Sequence, residues 1–203
     1  MRNVKPEPYC DAVNIFGALR ESLQPISAIE THLFAYLSCI LGLWRGQPLS
    51  NWGYSFVVTS EGFPYSADFE DARAELVPRG LVKVDGDGRL LPCEKELERE
   101  RDDYFSAERW IERRTLSEAA VSCALAFPIG SVRFAISQSP GMRIANTLQQ
   151  RSALFSELDV ENIYNEYAIV RDAIEGDTND LLSPAVVWLS ARLLDNEVDS
   201  AVA

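Results

Sequence analysis

A chain of 203 residues can fill one good hydrophobic core, or one core with a helical extension. Hydrophobic residues at 47% and charged residues at 25% exclude large-scale disorder. A formal charge of -12, from 31 acids against 19 bases, repels nucleic acid and anionic membrane unless a local basic patch opposes it.

Of the bases only Lys5, Lys83 and Lys95 are lysines; arginine suits fixed and buried pairing, so many of the others are expected to be structural or interfacial. Cys10, Cys39, Cys93 and Cys123 are far apart and show no metal-ligand spacing. Cys39 and Cys123 lie in apolar helical runs, where free cysteine behaves as a small hydrophobe. Residues 1–9 lack the apolar stretch of a signal peptide, and the longest apolar run, 33–44, falls short of the roughly 20 residues a membrane span needs. A cytoplasmic protein is expected.

In chain order, residues 1–8 hold two prolines and read as an irregular arm. Val13, Phe16, Leu19 and Leu23 fall at helical spacing, giving a first helix over 10–23 that Pro25 ends. Ser27 and Glu30 form a capping box for a helix that is apolar nearly all round from Leu33 to the stop at Gly46 and Pro48, which marks a central helix. Residues 49–58 read either as a short helix or, over 56–59, as a strand. Ser66 caps a helix with Asp68, Glu70 and Asp71 in its first turns, closed by Pro78 and Gly80. Residues 81–84 and 89–91 flank Asp85-Gly86-Asp87-Gly88, the clearest hairpin signal in the chain.

The second half reads as helical: a charged helix over 94–114 with Leu97, Tyr104, Trp110 and Ile111 as contact residues, then a new start at Thr115 and Glu118 running to 127. A short apolar segment spans 132–136 and a loop 137–141. Further helices follow over 142–155, from a cap at Asp159 to 174, and from Ser183-Pro184 to 194, with a frayed tail beyond. Within 94–112, Lys95 with Glu98, Glu96 with Arg99, Glu98 with Arg101 and Arg109 with Glu112 stand at helix-neighbour spacing. Two units are expected, 1–93 and 94–203.

No constellation carries an obvious chemistry. His32 is the only histidine and has no ligand or nucleophile at suitable spacing, so it is expected to make a structural hydrogen bond. The Asp-Gly repeat at 85–88 lacks the further oxygen ligands of a calcium loop, and no phosphate-binding glycine motif opens a helix. No enzyme activity, cofactor or metal is expected. Arg109, Arg113, Arg114, Arg133, Arg143 and Arg151 enrich the second half in arginine, with a phosphate-binding groove as a minority alternative. The four tryptophans are assigned to the core.

The order of residues 27–91, a capped helix, Gly46-Gln47-Pro48-Leu49, a helix ending Glu75-Leu76-Val77-Pro78-Arg79-Gly80, then a hairpin, resembles the winged-helix superfamily. That resemblance implies a mainly α protein with a small β-hairpin, a winged-helix core followed by a helical extension. In regulators of this kind the helix before the wing enters the DNA major groove through Arg, Lys, Asn or Gln. Here that helix carries Asp68, Glu70, Asp71 and Glu75 against Arg73, and the wing has Lys83 and Arg89 against Asp85 and Asp87, so direct DNA binding is disfavoured.

The chain also resembles, more generally, acidic winged-helix accessory subunits of bacterial SMC-type and ABC-type ATPase complexes, defence systems included. The expectation is a non-enzymatic adaptor or regulatory subunit that binds a larger protein through Asp68, Glu70, Asp71, Arg73, Glu75, Lys83 and Arg89, in a state that allows oligomers. The alternative is a dimeric winged-helix transcription regulator or antitoxin.

Overall fold

The computed structural model describes residues 4–139, 142–143, 152–174 and 181–202, the last helix with side chains through 194. Helix α1 spans Pro6–Ala18 and so begins earlier than the expected position 10. Pro6 and Pro8 fall in its first turn, where a missing N–H forfeits no intrahelical bond. The end is also earlier than expected, and residues Glu21–Leu23 form a separate 3-10 turn.

Helix α2, Ala28–Trp44, starts at the predicted capping box. The Ser27 N–H donates to Glu30 Oε2 at 2.8 Å, and Ser27 Oγ accepts from the Glu30 N–H at 3.4 Å. Every residue from Thr31 to Trp44 is buried, so α2 is the axis of the protein. Where a second helix was the alternative, only a 3-10 turn at Leu49–Asn51 forms, followed by strand β1 (Val57–Val58) paired antiparallel with β2 (Pro64–Tyr65). Alternating burial of Tyr54, Phe56 and Val58 favours the extended chain here.

Helix α3 (Ala67–Leu76) is capped by Ser66, whose Oγ accepts from the Phe69 N–H at 3.3 Å, and it buries Phe69, Ala72 and Leu76. Strands β3 (Val82–Val84) and β4 (Leu90–Pro92) make the expected hairpin, with Lys83 opposite Leu91. Asp85 Oδ1 accepts from the N–H groups of Asp87 and Arg89, each at 2.9 Å, and the left-handed position falls on Gly88 (φ 78°) rather than Gly86. The hairpin is tied to the start of α2: Ile26 N–H donates to Leu90 O at 3.0 Å and Leu90 N–H to Ile26 O at 2.8 Å.

The charged helix is shorter than expected. Helix α4 covers Glu94–Tyr104, and α5 runs unbroken over Glu108–Ala126, straight through the predicted start at Thr115. Thr115 Oγ1 donates to Ile111 O at 3.1 Å inside the helix instead of capping it. The real break, at 105–107, is an aromatic corner in which Phe105 packs edge-on to Trp110 (5.4 Å) and against Tyr9 (6.1 Å). Leu97 and Trp110 are buried as expected, while Tyr104 and Ile111 are exposed.

Helix α6 (Ile129–Ser137) follows. Of the helix expected over 142–155, positions 144–151 lie outside the described residues, and 152–154 are extended alongside β1: Val58 N–H donates to Ser152 O and Leu154 N–H to Phe56 O. Helix α7 (Glu157–Ile174) is capped by Ser156, with Asp159 as the reciprocal partner rather than the cap itself. Helix α8, Leu182–Val202, continues past the expected end at 194.

The protein is mainly helical, with eight α-helices among the described residues and two small antiparallel strand pairs. One buried cluster joins α1, α2 and α3 to α5, α6, α7 and α8, so the core is continuous across position 93. All four tryptophans are buried. Among the described residues no single helix is long and apolar enough to cross a membrane.

Candidate protein-interaction surface

The seven residues expected to meet a partner lie on α3 and the β3–β4 hairpin, but most have partners within the chain. Asp68 pairs with Lys5 at 2.9 Å, in an exposed contact. Glu70 accepts from Arg73 Nε at 2.9 Å and from its second guanidinium nitrogen, leaving Arg73 only 12% exposed. Glu75 lies 3.5 Å from Arg79, which reaches on to Glu100 of α4 at 3.3 Å. Tyr9 of α1 donates to the same Glu100 oxygen at 2.7 Å.

Arg89 approaches Glu30, the capping carboxylate of α2, at 3.9 Å. Asp71 is exposed at the centre of α3. Lys83, also exposed, makes no ion pair among the described residues. The acidic helix is thus a cross-linked seam between α1, α2 and α4 more than a free charged face.

His32 lies at the centre of that seam with its ring fully buried. Its Nδ1 accepts from the Ser66 N–H at 3.2 Å, which places the proton on Nε2, and Nε2 donates to Glu70 Oε2 at 3.1 Å. The ring stacks on Tyr65 at 4.7 Å and meets the edge of Phe69 at 5.0 Å. Burial lowers its pKa from the ordinary 6.5, and the Glu70 hydrogen bond pulls the other way without prevailing. Burial would raise Glu70, but the hydrogen bonds from Arg73 and His32 together take it down to about 2. The expected structural hydrogen bond of His32 is present, and it fixes the start of α3 to α2.

Among the second-half arginines, Arg109 and Arg113 line one cavity and Arg133 another. Arg113 is buried in the core, Arg114 pairs with Glu118 on α5, and Arg133 of α6 stacks over Phe63 at 3.7 Å. Arg143 is exposed, and Arg151 lies outside the described residues. None of the four ion pairs expected at helix spacing along 94–112 forms within 4.0 Å among the described residues; Arg101 packs instead against Gly17 of α1, and Arg109 lies over the Trp110 ring.

Two side-chain networks, one buried and one half-buried, have no sequence signature. Asp11 of α1, fully buried, accepts a two-pronged contact from Arg113 of α5, with Nε at 2.9 Å, and a hydrogen bond from the Tyr54 hydroxyl at 2.6 Å. The Arg113 guanidinium lies 4.1 Å above the Trp52 ring. In the second network Glu166 of α7 accepts from Trp188 Nε1 at 2.7 Å and from Arg192 of α8, which covers the Trp188 ring at 4.5 Å. Each pairing joins residues far apart in sequence. Only an acid on an otherwise apolar helix face, such as Asp11 beside Ala12 and Val13, hints that a buried cation must exist elsewhere.

Comparison of the chain with protein-family models, with curated proteins and with solved structures finds no match.

Proposed function

We propose that this chain is a non-enzymatic adaptor or regulatory subunit that binds a larger protein. The partner class that the winged-helix resemblance brings is a nucleic-acid-dependent ATPase of a bacterial complex. The supporting observation is the state of α3. A helix that reads the major groove needs exposed donors, and the single arginine of α3 is turned onto Glu70 and mostly buried. The hairpin clamped to Ile26 and α2 supports a winged-helix arrangement, and its exposed tip is left to make the outside contact.

Native affinity capture with the full chain tests this. A stoichiometric protein partner is expected with the wild type and is expected to be lost with Lys83→Glu combined with Arg89→Glu. A chain that captures no partner and runs as an isolated monomer refutes the adaptor role. The exposed Lys83 also favours, more weakly, a DNA-binding regulator that contacts phosphates through its wing. A mobility shift on duplex DNA at physiological salt, abolished by the same double substitution, would decide for that role instead.

A further inference from the structure

A cavity of about 430 Å³ opens between the first turn of α1, the 47–51 segment and the first turns of α5. Glu7, Gln47, Asn51, Arg109, Glu112 and Arg113 line it, with Trp110. The cavity holds two carboxylates and two guanidinium groups, yet no pair within 4.0 Å forms between them. The two guanidinium groups are instead held by other side chains. Asp11 and the face of Trp52 hold Arg113, and the Trp110 ring holds Arg109 at 4.1 Å. The stem of Glu7 lies so close to Gly53 that a Cβ at residue 53 would stand 2.7 Å from its Cγ.

Arg113 is 6% exposed, and its Nε and one terminal nitrogen are occupied by Asp11, so the remaining terminal nitrogen keeps its two donors. Arg109, Glu7 and Glu112 make no hydrogen bond to protein among the described residues. A simple anion would meet two carboxylates there, a simple cation two guanidinium groups, and an apolar molecule would desolvate all four.

We propose that this cavity binds a free zwitterionic α-amino acid, with its carboxylate on Arg109 and the remaining terminal nitrogen of Arg113 and its ammonium between Glu7 and Glu112. Gln47 and Asn51 also line the cavity, and the ligand side chain is assigned to that end. This site is independent of the protein-partner proposal, and neither stands or falls with the other.

Calorimetric titration of the full chain with the individual proteinogenic amino acids tests it. At least one is expected to bind saturably at concentrations on the order of 10 mM or below, and its N-acetyl and its carboxamide derivatives are each expected to bind at least about tenfold more weakly. Arg109→Gln and Glu112→Gln, both at exposed positions, are expected to weaken binding by about tenfold or more while leaving the melting temperature unchanged. Absence of saturable binding by every amino acid overturns the proposal, as does equal binding of the end-blocked derivatives to wild type. The blocked derivatives keep the test valid even where a variant fails to fold.

Discussion

Arg113→Met removes the cation from a site in which Asp11 has no access to solvent. The substitution keeps the length of the stem but leaves a buried carboxylate with, among the described residues, only the Tyr54 hydroxyl as a partner. Burial works against the charge of Arg113, and the Asp11 carboxylate beside it outweighs that, so its pKa is raised. Breaking a buried pair by deleting one partner costs about 3–5 kcal/mol, and loss of the cation over Trp52 is worth a further ~0.5–2 kcal/mol. The two terms share one side chain and do not simply add. At ~2–4 °C per kcal/mol for a chain of this size, the melting temperature should fall by roughly 10 °C or more. Thermal unfolding followed by circular dichroism measures that shift, and urea unfolding the free-energy loss. Adding Asp11→Asn to Arg113→Met removes the stranded charge and should recover a large part of the loss. A single variant within about 1 kcal/mol of wild type, or a double variant worse than the single, would refute the buried-pair account.

Two further substitutions probe local geometry. The folded His32 has a pKa below its ordinary 6.5, so below that pH the unfolded chain binds a proton that the folded chain resists. Stability should therefore fall as pH drops through 6.5, and His32→Gln should flatten the slope between about pH 6.5 and 5. Glu70, depressed from 4.5 to about 2, contributes its loss only below that window, so the two are separable in a pH series of urea midpoints. Gly53→Ala, at φ 91° and with its new Cβ against Glu7, should cost about 1–3 kcal/mol, and a neutral result in thermal unfolding would show that the loop relaxes freely.

Features held by short-range bonds were legible in the sequence. The Ser27–Glu30 box, the Ser66 cap and the 85–88 turn are each closed by residues within a few positions of one another, and all three stand in the structure. Thr115 and Glu118 carry the same spacing as Ser27 and Glu30, yet α5 passes through them. Packing decided the difference: Trp110 and Leu116 are buried on one continuous helix, and a break at 115 would have separated them. The start of α1 was misplaced because proline was read as a breaker at positions where it is a tolerated first-turn residue. Partners such as Asp11 and Arg113, separated by 102 positions, cannot be matched from one chain, since many acids and arginines are available and only the fold selects among them.

The same distinction governs the surface of α3. A residue count makes the helix repel phosphate, with four acids against Arg73. In the structure Asp68, Glu70 and Glu75 are each set against a cation, which removes much of that repulsion. The helix nonetheless has no exposed donor to offer base edges, since Arg73 is held on Glu70. Relieving charge alone should therefore not create a DNA-binding protein. Asp68→Asn combined with Asp71→Asn makes the helix less acidic without freeing Arg73, and it is expected to show no mobility shift on duplex DNA even at low salt. Glu70→Gln, which weakens the hold on Arg73, is the informative addition. A shift with the first pair alone would mean that repulsion was the barrier; a shift that needs Glu70→Gln would mean that the missing donor was.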